Sequence, residues 1–94
     1  MNLRYTRTAL AEIDSIYGYL AEQNPLAATA VLAAVEKTIS RLQLFPESAV
    51  ATNVPDVRVA TIYPYPYLIF YAIHDDTVVI RNIRHAARRR PAGT

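Results

Sequence analysis

The residues best suited to chemistry in this 94-residue chain are arginines, and most of them lie toward the C-terminus. Residues 56–94 hold six arginines against three aspartates, whereas residues 1–55 hold four basic residues against five acidic ones. Nine of the ten basic residues are arginine, whose planar guanidinium donates in pairs to phosphate or carboxylate oxygens. Five arginines lie between Arg81 and Arg90 with no acid among them. The sequence therefore predicts that the C-terminal part carries the function and meets anionic groups.

Three of the polar residues have the chemistry needed to bind a phosphate and to transfer a proton beside it. Arg58 and Arg81 could hold a phosphate, and His85, with an unperturbed pKa of about 6.5, could act as base or acid near neutral pH. Each also has a structural interpretation. Arg58 would be a solvated strand residue, Arg81 would pair with an acid at a sheet edge, and His85 would be hydrogen-bonded at a strand end.

A β-hairpin has to position most of these side chains. Apolar strands are predicted over residues 67–74 and 77–85, joined by the acidic turn Asp75-Asp76. Strict alternation along the second strand places Arg81 and His85 on one face together with Thr77, Val79 and Ile83. A preceding strand over residues 57–62 places Arg58 on the face opposite its two valines.

Four tyrosines surround the connection between the last three strands. Tyr63-Pro64-Tyr65-Pro66 is predicted to be a rigid turn, because both prolines fix φ and neither donates to a sheet ladder. Tyr67 and Tyr71 are expected in the core. Tyr63 and Tyr65 remain as candidate contacts for nucleic-acid bases.

In the first half of the chain, the sequence predicts two helices that cover one face of the hairpin. A short strand over residues 2–5 leads to Thr6, which caps a helix with an apolar stripe and with Glu12 among its solvated residues. Asn24-Pro25 ends this helix and caps a second, antiparallel one that stops at Phe45-Pro46. Residues 47–55 are predicted to be a loop. The order β-α-α-β-β-β predicts one α+β domain over residues 1–94, two helices on a mostly antiparallel sheet, with a basic, flexible tail over 87–94.

Composition excludes several classes of protein. The chain has no cysteine, so it carries neither a disulfide framework nor a cysteine-based zinc site. Its N-terminal residues do not follow the pattern of a signal peptide, and its apolar runs fall short of a membrane span. We expect a soluble, cytoplasmic protein that uses no metal or cofactor.

The order of elements and four segments together resemble the RelE/ParE superfamily, the toxins of bacterial type II toxin-antitoxin modules. The segments are YTRTALAEIDSIYGYLAEQNP, RLQLFPES, PDVRVATIYPYPYLIFYAI and VVIRNIRHAARRRP. The resemblance implies growth inhibition, plasmid stabilization and a hetero-oligomer with a cognate antitoxin that carries its own DNA-binding domain. It also implies one of two targets. ParE-like members inhibit DNA gyrase, and RelE-like members cut messenger RNA in the ribosomal A site.

Residue types favour the ParE-like branch. RelE-like members use lysines and arginines on the sheet with a tyrosine or histidine near the C-terminus, whereas this chain has no lysine on its predicted sheet and no tyrosine after Tyr71. Gyrase inhibition is therefore the first expectation, which would make the chain no enzyme. The predicted contacts with the target are Arg58, Arg81, Arg84, Arg88, Arg89, Arg90, Tyr63 and Tyr65.

Two alternatives stay open at this point. The chain could be a metal-independent, ribosome-dependent mRNA endonuclease in which Arg58, Arg81 and His85 are catalytic. It could also be an inactive homologue that only binds the antitoxin. A basic DNA-binding module fits less well, because the arginines lie on a strand and a tail and not on a recognition helix.

Overall fold

The computed structural model describes residues 1–88, without the side chain of Arg88. Within this range, two helices cover one face of a five-stranded sheet. The elements are strand β1 (Asn2–Tyr5), helix α1 (Arg7–Gln23), helix α2 (Pro25–Leu44), strands β2 (Val50–Ala51), β3 (Val57–Thr61), β4 (Tyr67–His74) and β5 (Thr77–His85), and a 3₁₀ turn (Ala86–Arg88). The predicted α+β architecture is confirmed. The two-residue β2 is an addition to the predicted loop over residues 47–55.

The sheet has the strand order β1-β5-β4-β3-β2. β1 pairs with β5 in parallel, and the other neighbours pair antiparallel. The start of β1 is also tied to the hairpin turn, since the Asn2 N–H donates to the Asp76 carbonyl at 2.8 Å. Asp75 in that turn has a φ of 54°, in the left-handed region that Asp adopts more readily than most residues.

Polar side chains define the limits of the two helices. The Thr6 hydroxyl accepts from the Ala9 N–H at 3.0 Å and caps α1. Asn24 serves both helices, because its N–H donates to the Leu20 carbonyl while its Oδ1 accepts from the N–H groups of Leu26 and Ala27. Pro25 occupies the first turn of α2, where its missing N–H costs nothing. The predicted helical hairpin is thus confirmed with its predicted caps.

The helices bury a continuous apolar core against the sheet. α2 contributes Val31, Val35, Ile39 and Leu42, and the sheet contributes Ile69, Tyr71, Val78, Ile80 and Ile83. In α1 the fully buried residue is Ala9, whereas Leu10 and Tyr17 of the predicted apolar stripe are 50% and 42% exposed. α1 therefore packs through a narrower stripe than the sequence pattern indicates, and it leaves apolar surface uncovered.

A β-bulge in β5 corrects the predicted alternation along this strand. The pairing with β4 shifts between Phe70 and Tyr71, so that Tyr71 pairs with Ile80 and Phe70 pairs with Asn82. Arg81 is the extra residue of the bulge. As a result Ile80 and Ile83 are both buried, although strict alternation assigned them to opposite faces.

Within the described residues, no helix combines the length and the apolar character that crossing a bilayer would require. No group of three or more potential metal ligands lies together in residues 1–88.

Candidate target-binding site

Arg58 on β3 lies on the face that the helices cover. It pairs with the fully buried Tyr71 of β4, and paired residues of an antiparallel ladder point to the same side of the sheet. Its Nη1 donates to the Ala49 carbonyl at 2.7 Å and to the Glu47 carbonyl at 3.4 Å. The half-buried guanidinium therefore ties the loop that follows α2 to the sheet.

Tyr71 secures the same loop from the neighbouring strand. Its hydroxyl donates to the Pro46 carbonyl at 2.6 Å, and its side chain is fully buried. Burial raises the pKa of Tyr71 above its ordinary value of 10.0, an increase that the nearby charge of Arg58 partly offsets. The phenol is therefore protonated at neutral pH and remains a donor.

Arg81 is an exposed residue at the bulge of β5. Its backbone carbonyl accepts from the Thr6 hydroxyl at 2.8 Å. Its side chain forms no hydrogen bond or ion pair with any other residue in the described part of the chain. The predicted pairing of Arg81 with an acid at the sheet edge is therefore absent from residues 1–88, and its guanidinium is available to a partner.

His85 ends β5 and is held by two contacts. Its ring meets the Tyr67 ring edge to face, with centroids 5.4 Å apart and planes at 82°. Its Nδ1 accepts from the Ala87 N–H at 3.1 Å, which leaves the proton of the neutral imidazole on Nε2. These contacts fix the ring at the strand end.

Arg84 and Glu12 meet across the gap between β5 and α1. The Arg84 Nε lies 3.8 Å from the Glu12 Oε2, and the Arg84 Cζ lies 6.0 Å from the centre of the Phe70 ring. Glu12 also accepts from the Ile83 N–H at 2.8 Å. Glu12 was expected to be solvated, so the structure corrects this prediction and gives the residue a place at the sheet edge.

The three candidate catalytic residues do not form one cluster. Arg58 and His85 lie two strands and four residues apart in the sheet register, which puts their Cα atoms roughly 16 Å apart. Arg81 precedes His85 by four residues, or roughly 13 Å along an extended strand. The Arg58 guanidinium is moreover engaged by the carbonyls of Glu47 and Ala49, so the three side chains are not gathered around one point.

Several of the residues that the sequence predicts to contact the target lie at one end of the sheet. The turn that carries Tyr63 and Tyr65 joins β3 to β4, and its Pro66 carbonyl accepts from the Ala86 N–H at 2.7 Å, directly after β5. Tyr63 is 87% exposed, whereas Tyr65 packs against the core. We name this region the tail end of the sheet and define it by Tyr63, Tyr65, Arg84, His85 and the 3₁₀ turn.

The basic tail continues from this end. The backbone of Arg88 closes the 3₁₀ turn and is the last residue that the structure describes. Arg89 and Arg90, which the sequence also predicts to contact the target, lie outside the described residues.

Comparison with known proteins identifies the family. Residues 3–90 match the family described as "ParE toxin of type II toxin-antitoxin system, parDE". The chain belongs to the ParE toxin family. It is therefore the toxin of a type II toxin-antitoxin system, and the family implies a cognate antitoxin as its partner.

Two relatives align with the ParE-family chain over most of their length. "Putative toxin Y4kP" of Sinorhizobium fredii is 30% identical over 89 residues, which cover 95% of this chain and 92% of the relative. "Toxin RelE2" of Caulobacter vibrioides is 36% identical over 87 residues, which cover 89% and 93%.

Solved structures share the fold of this ParE-family toxin. A chain from the chromosomal ParDE TA system of P. aeruginosa superimposes with a TM-score of 0.79 at 25% identity and covers 90% of this chain and 95% of that one. The isolated E. coli RelE toxin superimposes with a TM-score of 0.65 at 18% identity, over 98% and 89%. At that identity, the second likeness concerns the fold alone.

Proposed function

We propose that this chain is a ParE-like inhibitor of DNA gyrase that its cognate antitoxin keeps inactive. The observation that carries the proposal is the position of Arg58. Its guanidinium donates to two carbonyls of the loop after α2, and its Cα lies roughly 16 Å from that of His85 in the sheet register. The described residues therefore lack a compact catalytic set built from the three candidates. A toxin that acts by binding needs no such set.

Family membership supports the same proposal. The match to the ParE toxin family covers residues 3–90, and the chain from the chromosomal ParDE system aligns over most of both proteins. Inhibition of gyrase is what the sequence resemblance implies for ParE-like members. Arg81, Arg84, Tyr63 and the C-terminal arginines are the proposed contacts, because Arg81 and Tyr63 are exposed and Arg84 begins the basic stretch next to them.

A ribosome-dependent mRNA endonuclease is the second candidate. The observation that favours it is the 36% identity to a protein named Toxin RelE2. In that case His85 would act as acid or base, with Arg81 and Arg84 in place of lysine at the phosphate.

Controlled expression in bacteria separates the two proposals. DNA synthesis and protein synthesis are followed separately in the first minutes after induction, together with plasmid supercoiling. We expect an early fall in DNA synthesis with altered supercoiling. An early fall in translation, with messages cut inside their reading frames, would replace the gyrase proposal with the nuclease. Normal growth at a verified level of folded protein would leave an antitoxin-binding module without toxic activity.

Three variants test which residues act. The double variant Arg81→Ala/His85→Ala should lose toxicity if the chain cuts RNA, but Arg81 is also a proposed contact with gyrase. His85→Ala alone therefore separates the two proposals, because a nuclease should lose its toxicity and a gyrase inhibitor should keep it. Deletion of Ala87 to Thr94 removes the basic tail and should abolish gyrase inhibition. Full toxicity after this deletion would show that the tail is dispensable. Antitoxin binding by each variant provides the control for folding.

A further inference from the structure

The face of the sheet opposite the helices carries a second set of apolar side chains. Successive side chains of a strand point to opposite faces, and paired residues point to the same face. Ile69 and Tyr71 of β4 belong to the core under the helices, so Leu68, Phe70 and Ala72 point to the other side, which we name the open face. The apolar residues that the register assigns to the open face lie outside the core, and they are Val50, Val57, Val59, Leu68, Phe70, Ala72 and Val79.

The sequence of β4 is typical of a strand that is covered on both faces. All of its residues except His74 are apolar or aromatic. A strand with one solvated face alternates apolar and polar residues, whereas a continuous apolar run indicates burial on both sides. Within residues 1–88, both helices lie on the core side, and Leu68, Phe70 and Val59 remain partly exposed. An uncovered apolar surface of this kind marks an interaction site.

The strands place positive charge around this surface. The five strands that the structure describes contain four arginines and no aspartate or glutamate. Arg4 pairs with Val79 and therefore lies on the open face, where its exposed side chain has no hydrogen bond or ion pair within residues 1–88. The Arg84 Cζ lies 6.0 Å from the centre of the Phe70 ring. The acidic turn between β4 and β5 lies at the opposite end of β5 from Arg84.

Charge and side-chain type together select the occupant of the open face. A second copy of the chain would bring the same arginines to the contact and would meet repulsion, so the partner carries acidic groups. Single-stranded nucleic acid binds through bases that stack on several aromatic rings. Among the apolar residues of the open face only Phe70 is aromatic, and the Arg84 guanidinium already lies near its ring. An aliphatic surface with arginines beside it fits an acidic protein segment better.

We propose that the open face binds the protein target of this toxin through an acidic segment of the target that also carries apolar side chains. The apolar side chains of the segment pack on Val59, Leu68 and Phe70. Its carboxylates pair with Arg4 and Arg84. The inference rests on the proposed function, because it requires that the target is a protein, and it adds β1, β3 and β4 to the contacts named above.

Charge reversal tests the positive side of the open face. The probe is purified DNA gyrase, and the affinity is measured at about 0.15 M salt, where exposed charges more than about 8 Å apart are largely screened. Arg4→Glu should weaken binding at least tenfold. Arg7→Glu makes the same change at an exposed residue of α1 and should change the affinity less than threefold. Equal weakening by both variants would show that net charge determines the affinity and would overturn the inference.

Hydroxyl-radical footprinting of the wild-type chain tests the surface without a substitution. In the complex with gyrase, the modification of Leu68 and Phe70 should fall at least threefold. Leu26, which is 82% exposed at the start of α2, is the internal control and should be modified equally in the free and bound chain. Unchanged modification of Phe70 in a complex that forms would overturn the inference and leave gyrase as the target. Failure of the complex to form would overturn both proposals.

Other occupants of the open face would give different footprints. Protection of Phe70 in a homodimer of the chain alone would show a second copy. Protection by the cognate antitoxin but not by gyrase would assign the surface to the antitoxin, and protection by single-stranded RNA but not by gyrase would assign it to nucleic acid. Each of these three results would overturn the inference.

Discussion

Arg58 and Arg81 occupy similar sequence contexts and opposite structural situations. Both lie within a strand, Arg58 between Val57 and Val59 and Arg81 between Ile80 and Asn82. Arg58 is half-buried and donates to the carbonyls of Glu47 and Ala49, whereas Arg81 is exposed at a bulge, and its side chain has no partner among the described residues. A strand arginine in this fold therefore has a structural role where the carbonyls of a nearby loop accept its hydrogen bonds. It remains available to a binding partner where the pairing with the neighbouring strand stops, as the pairing of β5 with β1 does at Ile80. The two residues should therefore respond very differently to substitution.

The largest expected effect is that of Arg58→Ala on stability. The substitution removes two hydrogen bonds from a charged donor and releases the loop after α2, so the free energy of unfolding should fall by about 2 kcal/mol. Urea denaturation followed by circular dichroism measures it, given two-state unfolding of a domain of this size.

Arg81→Ala is the matched control for this measurement. Its side chain is exposed and has no partner within residues 1–88, so stability should change by less than about 0.5 kcal/mol. Equal destabilisation by the two substitutions would break the comparison and would assign Arg81 a structural role as well.

A smaller effect is expected at the second attachment of the same loop. Tyr71→Phe removes the hydroxyl that donates to the Pro46 carbonyl at 2.6 Å and leaves a buried acceptor unpaired, at a cost of about 1 to 1.5 kcal/mol. Thermal and urea unfolding of the variant measure the change. Tyr67→Phe is the control, because Tyr67 is also buried but its hydroxyl has no hydrogen-bond partner in the described residues. A comparable loss for Tyr67→Phe would point to a general effect of the missing hydroxyl groups.

The elements that local residues determine were predictable from the sequence. Asn24-Pro25 specifies a helix end and a helix start within two residues, and the structure has both caps. Asp75-Asp76 between two apolar runs specifies the hairpin turn, and the structure pairs His74 with Thr77 across it. These signals are short in sequence and depend on backbone preferences of the residues themselves.

The features that depend on distant contacts were not predictable in the same way. The bulge at Arg81 requires Ile80 and Ile83 to share the core face, and only their spacing of three residues hints at it. Glu12 binds a backbone group 71 positions away, so a helical pattern could only classify it as polar. The carbonyls that hold Arg58 belong to a loop without a periodic pattern. The fold therefore follows from local sequence signals more closely than the candidate site does.

The smallest expected effect is the response of stability to high pH. Burial raises the pKa of Tyr71 above 10.0, and burial together with the charge of Glu36 raises that of Tyr5 in the same direction. The folded state then holds these protons more tightly than the unfolded state does, so stability decreases as pH rises from about 10 through the folded-state values. Below pH 10 this contribution is fully present and constant.

Tyr71→Phe removes one of the two groups that cause this decrease. The free energy of unfolding of the variant should therefore fall less steeply above pH 10 than that of the wild type. Arg58→Ala should have the opposite effect. Because the Arg58 charge lowers the pKa of Tyr71, its removal raises the folded-state pKa further, and the steeper fall is the expected result. Urea titrations between pH 9 and 11 measure the slopes. Parallel slopes for Arg58→Ala and the wild type would show that the phenol of Tyr71 and the guanidinium of Arg58 do not interact, and parallel slopes for Tyr71→Phe and the wild type would show that Tyr71 does not cause the decrease.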